Sequence, residues 1–399
     1  MLNVRYLKSK IDEKFQGKVP DFANIIGVSK QTVYAWLRDQ SGVEEKRIFD
    51  IAVALDLTEG ETETLLGVPQ TILCFRKRGL DAASAEVKEK SRDLANTFFK
   101  IDGSSYFVND TFVSGVDAKS SSTAAQLIRQ NLQVDAGQPA TFGLLLSELK
   151  RHNINVFFIP FRRIGLIVSA VADREVAFTA RKGDRVIVFV DTERSRDQST
   201  FDLCHELCHI LLGHEDPSKD DERLCNGAAQ ELIYPKQFFE SRKDEMAVFW
   251  HAKTHSWNQV NEKFHQMTRE FDWSPRGLAL ALRDYGYIGK DSHEFKRLQT
   301  LEKLVRKQHK SMDDLFFSGF HPNDSDQLER FFAEDIQKDR NIFRPMIELK
   351  DAATFGHLSP RRLAEILGSD SGDTDEIVRS WRTKHEESQD DIDDEPTEG

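Results

Sequence analysis

The chain has 399 residues, 39% of them apolar, and a formal charge of −12 at pH 7. That length implies about two to three domains with ordinary cores. No run of eighteen apolar residues occurs and the first residues lack the apolar region of a secretory leader, so a cytoplasmic chain with no membrane contact is expected. The four cysteines, Cys74, Cys204, Cys208 and Cys225, suit a reducing compartment better than a disulfide framework.

Residues 21–40, DFANIIGVSKQTVYAWLRDQ, read as a helix-turn-helix. Ala23 supplies a small residue where two helices touch, Gly27 the turn, and Val33 and Trp36 the apolar seat of a second helix running from Lys30 to about Arg38. Ser29 is its natural N-cap. If that helix docks in a major groove, Ser29, Lys30, Gln31, Thr32, Tyr34 and Arg38 face bases or phosphates. The runs EKRIFDIAVALDL and GETETLLG follow as further helices, and residues 1–72 together resemble a Cro/repressor-type domain. Residues 1–50 carry nine Lys or Arg and seven Asp or Glu, a net of +2 (9 − 7), only weakly basic for a phosphate binder. A homodimer would double the contacts; a small protein-interaction domain is the competing assignment.

Residues 73–118 read as a connecting helix and an irregular loop, with Phe98, Phe99, Phe107, Phe112 and Phe142 suggesting packing against the next domain. Three strand-like runs follow, at GLIVSAVA, EVAFTA and DRVIVFVD, β-branched or alternating between charged or glycine turns.

Next comes the most informative segment, DLCHELCHILLGH, which contains H-E-x-x-H at His205, Glu206 and His209. Residues four apart share a helix face, so His205 and His209 can aim at one Zn²⁺, with Glu206 beside it as general base. Satisfied core histidines are the alternative, but polar side chains inside so apolar a helix need a partner to offset desolvation. Catalytic zinc usually takes a third protein ligand. The metzincin spacing fails, because Gly213 and His214 follow His209 at plus four and plus five. Glu222, in DDERLCNGAAQELIYP, is the better candidate, although Asp220, Asp221 and Glu222 could simply favour a helix N-terminus.

These two segments resemble the ImmA/IrrE metallopeptidases, whose H-E-L-G-H helix is followed by E-x-x-A-N-x-F-A-A-x-L-L-x-P. Glu222, Asn226, Ala229, Leu232 and Pro235 fall in register, while Cys208, Cys225 and Ala228 stand where glycine, alanine and phenylalanine are usual. The resemblance extends over about 120–290, where STAAQLIRQNLQVDAGQPATFGLLLSELKRHNINVFFIP is similar to the family's lead-in of two helices and a first strand. It implies His205, His209 and Glu222 as metal ligands, Glu206 as catalytic base, and a helix-turn-helix repressor as the protein cleaved. It implies an α+β, zincin-like domain at 119–290, with a small sheet supporting the H-E-x-x-H helix. FDWSPRGLALALRDYGYI resembles the family's closing segment, a short helix under the site. His214 and Tyr234 are candidate oxyanion donors only by proximity in sequence. Cys204 and Cys208 lie one turn apart beside the ligand face; either a redox-sensing or inhibitory thiolate, or small buried filler, fits.

Residues 291–384 are charged and helical in pattern without a catalytic constellation, which suits partner docking or dimerisation. From Glu386 to Glu398 there are eight acidic residues and no basic one, so 385–399 is expected to be a disordered tail. Its role is solubilising, or mimicry of nucleic acid against the front domain.

The expected whole is a zinc endopeptidase with a DNA-reading head, cutting a regulatory protein in a stress or phage-related response. Two alternatives stand beside it. One is a DNA-binding regulator whose peptidase-like domain senses or docks without turnover. The other is a component of a toxin–antitoxin or phage-defence system. An intact Glu206 argues against the first, since a silent site has no need of it.

Overall fold

Short polar caps and apolar spacing set the helices at the front of the chain. In a computed structural model of the protein these are α1 (Val4–Phe15), α2 (Val19–Ile25), α3 (Lys30–Leu37), α4 (Glu45–Leu55) and α5 (Glu59–Leu65). The structure describes residues 2–38, 42–67, 71–75, 85–101, 114–152, 154–159, 161–162, 166, 177–183, 185–250, 256–289, 293, 295–298, 330, 332, 340–367, 369 and 371–393. Asn3 caps α1 by accepting from Tyr6 N, Ser29 caps α3 by accepting from Thr32 N, and Thr58 with Glu61 forms a capping box on α5. Gly27, at φ 66°, makes the left-handed turn between α2 and α3 that other residues adopt at a cost. Leu7, Phe22, Val33 and Ile51, each fully buried, form the centre of this unit's own core.

The chain divides into two compact units, residues 1–72 with 182–184, and residues 73–181 with 185–399. The second is α+β. Its strands are β1 (Ile72–Phe75), β2 (Ile154–Ile159), β3 (Ala177–Lys182) and β4 (Arg185–Asp191). Among the described residues they form one sheet in the order β1-β3-β4-β2, with β2 and β4 parallel from Ile154↔Val186 to Ile159↔Asp191. Phe157, Phe178 and Phe189 stack along it, 4.6 Å between the Phe178 and Phe189 rings.

The first strand that the resemblance implies becomes β2, and the runs EVAFTA and DRVIVFVD become β3 and β4. GLIVSAVA lies outside the described residues except for Leu166, as do Phe107 and Phe112. Strand β1 was not expected: four residues are too few for alternation to show, and only its pairing partner in the sheet makes the run a strand.

Around the sheet lie α6 (Ala85–Ile101), α7 (Ser121–Leu132), α8 (Phe142–Arg151), α9 (Arg196–Leu212) and α10 (Lys219–Ile233). They are followed by α11 (Lys236–Ser241), α12 (Lys243–Trp250), α13 (Trp257–Glu270) and α14 (Pro275–Asp284). Helix α10 packs between α7 and α9. Gly227 makes this approach possible, since a Cβ there would stand 2.3 Å from Ser121 Oγ. Arg129 of α7, buried, donates to the carbonyls of Glu231 and Leu232 at the end of α10 and to those of Asp135 and Gln138. One cation thereby satisfies four acceptors that burial would otherwise penalise.

The described C-terminal helices are α15 (Arg340–Thr354), α16 (Pro360–Leu367) and α17 (Ser371–Asp393). They share the second unit's core, and Arg362 of α16 reaches Thr97 of α6 at 2.9 Å. The tail expected to be disordered from 385 is a continuation of α17 as far as Asp393; residues 394–399 lie outside the described residues. Ile377, Val378 and Trp381 anchor the helix, so its extension into acidic sequence adds turns without a new nucleation step. No helix among the described residues is long and apolar enough to cross a membrane.

Candidate metal centre

Helix α9 starts where β4 ends, and its first turns are pinned twice. Gln198 accepts from Ser195 N at 3.2 Å, and Arg194 brackets Asp202 with Nε–Oδ2 at 2.8 Å and Nη2–Oδ1 at 3.3 Å. Twelve of its seventeen residues are buried, so it is interior on nearly every side and each polar group on it must face a complementary one.

His205 and His209, four apart, do share a face, and their Nε2 atoms converge to 2.9 Å. Glu222 reaches the same point from α10, Oε2 at 3.3 Å from His205 Nε2 and Oε1 at 3.5 Å from His209 Nε2. It arrives there because Ser218 and Asp221 form a capping box that begins α10 at Lys219, which puts Glu222 in the first turn. Burial alone would raise the Glu222 pKa, but the hydrogen bonds from His205 and His209 outweigh it and hold the carboxyl well below the usual range. The three buried side chains could hold a metal ion. Two imidazole nitrogens and one ionised carboxylate are a donor set suited to a divalent cation.

Glu206 is fully buried next to this cluster. Thr179 of β3 donates its hydroxyl to Glu206 Oε2 at 2.7 Å, so the sheet holds the carboxylate in place. Sequence reasoning missed Thr179. The available sign was one hydroxyl between Phe178 and Ala180, in a strand otherwise apolar on its buried face.

The two residues considered as oxyanion donors are committed elsewhere. Tyr234 is buried and donates to the Ser274 carbonyl at 3.4 Å, and burial pushes its phenol upward. Its ring lies so close to α14 that a Cβ on Gly277 would stand 2.0 Å from the hydroxyl, which puts the short helix of the closing segment next to the end of α10. His214 turns its Nδ1 onto His209 Nδ1 at 2.9 Å. Burial, and then His209, lower its pKa, against the opposing pull of Asp221 and Glu222.

Cys204, Cys208 and Cys225 are fully buried free thiols. The hydrogen bond with Cys208 and then burial push Cys225 far upward; burial does the same to Cys204. Burial thus disfavours both thiolates, which favours the space-filling assignment. Cys225 Sγ stands 3.6 Å from His209 Nδ1, and with His214 these make a second set that could hold an ion.

In the first unit, Lys30, Gln31, Tyr34 and Arg38 are exposed on or just after α3, as is Ser29 at its cap. Thr32 is half-buried and its hydroxyl meets Ser29 Oγ at 2.8 Å, so these two spend their oxygens on the cap.

A buried His, His, Glu cluster on two helices, backed by a small sheet, is the architecture of a metallopeptidase-type domain. Comparison agrees: residues 149–253 match the family model described as Peptidase_M78, the IrrE N-terminal-like domain, which points to a metallopeptidase-like function and supports the ImmA/IrrE resemblance. No curated protein and no solved structure matches the chain.

Proposed function

We propose that the chain is a zinc-dependent endopeptidase in which His205, His209 and Glu222 hold the ion and Glu206 is the general base. The convergence of the two Nε2 atoms and the Glu222 carboxylate within 3.5 Å, inside the segment matched by the peptidase model, carries this reading. A His, His, Glu set is a catalytic zinc set that leaves a fourth position open. Zn²⁺ held there would supply Lewis acidity and would bring the ionisation of water towards neutral pH. Glu206 takes the proton from the attacking water and returns it to the leaving amine. Thr179 fixes the carboxylate rotamer for both transfers.

The substrate in this reading is a regulatory protein of the helix-turn-helix repressor class, cut in a stress or phage-related response; the ImmA/IrrE resemblance supports it. The exposed row Lys30, Gln31, Tyr34 and Arg38 supports DNA binding by the first unit, which would bring the peptidase to promoters where repressors sit.

The test is co-expression with a panel of small helix-turn-helix repressors, coupled to metal analysis of the purified protein. The expected outcome is about one zinc per chain, and repressor cleavage that falls by about a hundredfold or more in Glu206→Gln with zinc retained. Equal cleavage by both forms, or a purified protein without zinc, overturns the reading.

A further inference from the structure

His209 can ligate through Nε2 only if its one proton sits on Nδ1, because a neutral imidazole carries a single N–H. That N–H needs an acceptor in an interior where unsatisfied donors are costly. The end of α9 provides one. Gly213 adopts φ 69°, and His214 N donates back to the His209 carbonyl at 3.1 Å, the closing bond of a Schellman turn. The chain therefore doubles back over the last helical turn, and His214 Nδ1 comes to 2.9 Å from His209 Nδ1. A side chain on residue 213 would be strained by the left-handed backbone and would stand 3.2 Å from Gly115 Cα, so glycine is what permits this fold-back.

His214 can accept at Nδ1 only if its own proton is on Nε2. That nitrogen faces Asp221 Oδ1 at 3.4 Å. The other oxygen of Asp221 is taken by Ser218, whose N and Oγ donate to Oδ2 at 2.8 and 2.7 Å. The cap of α10 thus fixes the carboxylate, the carboxylate faces the His214 N–H, and His214 faces His209. The residue next to Asp221 is Glu222, so one helix start reaches the Nε2 side of His209 through Glu222 and its Nδ1 side through Asp221 and His214.

We propose that His214 is a positioning residue: it accepts the His209 Nδ1 proton, with Asp221 favouring the required tautomer, and so sets His209 to ligate through Nε2. The proposal rests on His205, His209 and Glu222 being the ligands. A second ion on His209 Nδ1, His214 and Cys225 is the competing use of these atoms, but it would strip His209 of its last proton and make it a bridging imidazolate. The neutral arrangement gives the His209 Nδ1–H and the His214 Nε2–H each a facing acceptor without that cost.

The test uses the full-length protein, stripped by chelator and titrated with Zn²⁺ against a chromophoric chelator. His214→Leu removes the acceptor; His214→Asn restores one, because the Asn carbonyl oxygen occupies the place of Nδ1. Affinity is expected to fall by about 10- to 100-fold in His214→Leu and by less than about threefold in His214→Asn. The proposal is overturned if both variants bind like wild type, if His214→Asn loses as much as His214→Leu, or if wild type binds two ions per chain. Wild-type protein that takes up no zinc overturns the ligand assignment itself, a different failure from zinc bound equally by all three forms. Should His214→Leu fail to fold, nitrogen-15 spectra of the histidines in zinc-loaded wild type decide. They are expected to place protons on His209 Nδ1 and His214 Nε2, and a proton on His214 Nδ1 overturns the proposal.

Discussion

Helix α9 buries its polar residues, whereas helix α3 exposes them. On α9, Asp202, His205, Glu206 and His209 have essentially no solvent exposure, and each is met by a group from elsewhere in the fold: Arg194, Glu222 or Thr179. On α3, Lys30, Gln31 and Tyr34 are turned to water, as is Arg38 just after it, and among the described residues the polar side-chain contact there is the cap between Ser29 and Thr32. Burial is informative in the first case because desolvating a charge costs several kcal/mol unless something compensates, so the compensating geometry shows what the residues are for. Exposure carries no such constraint. A solvated row of polar residues costs the fold nothing, and its purpose appears only when a partner is offered.

The sharpest way to break this contrast is to remove a compensating group from α9. Arg194→Met leaves the fold's shape but takes the two-pronged cation from a carboxylate with no exposure. Thermal or denaturant unfolding is expected to show a loss of about 3 kcal/mol. A change within about 0.5 kcal/mol would mean that buried charge on α9 is not balanced by this pair, and the argument from burial would lose its basis.

Thr179→Val is a smaller and more local test. Valine matches the shape of threonine, and only the hydroxyl on Glu206 Oε2 disappears. A hydrogen bond to a charged group contributes about 1.5–3 kcal/mol, so turnover is expected to fall by about ten- to a hundredfold while zinc content stays at the wild-type value. Unchanged turnover would show that the carboxylate holds its rotamer without the sheet.

The same contrast explains what was legible in advance. The helix carrying His205, Glu206 and His209 could be read because the ligating period and the helical period coincide within one segment. Glu222 needed a second segment: a carboxylate opening the next helix was the candidate, and its register with Asn226, Ala229, Leu232 and Pro235 supported it. Thr179, Arg194 and the role of His214 could not be read, because each depends on a partner brought close by tertiary structure: Thr179 meets a residue 27 positions away. His214 lay in plain view five residues after His209, but spacing alone suggested a role at the reaction centre. The Schellman turn at Gly213 points it instead at the back of a histidine. Strand β1 and the last turns of α17 were missed for a related reason, since pairing with a neighbouring strand and continuation from an anchored helix override local composition.

The smallest effect on the fold is expected on α3, and there the absence of a stability change is part of the prediction. Arg38→Ala removes an exposed cation that follows the helix and leaves the core of Val33 and Trp36 intact, so unfolding should shift by no more than about 0.5 kcal/mol. If the row contacts phosphates, affinity for duplex DNA should fall, and the dependence of log affinity on log salt should lose about one unit of slope. Wild-type protein that binds no DNA even at low salt would return α3 to the role of a small interaction domain. It would leave the reading of α9 untouched, because the buried cluster takes its support from the fold and not from the partner.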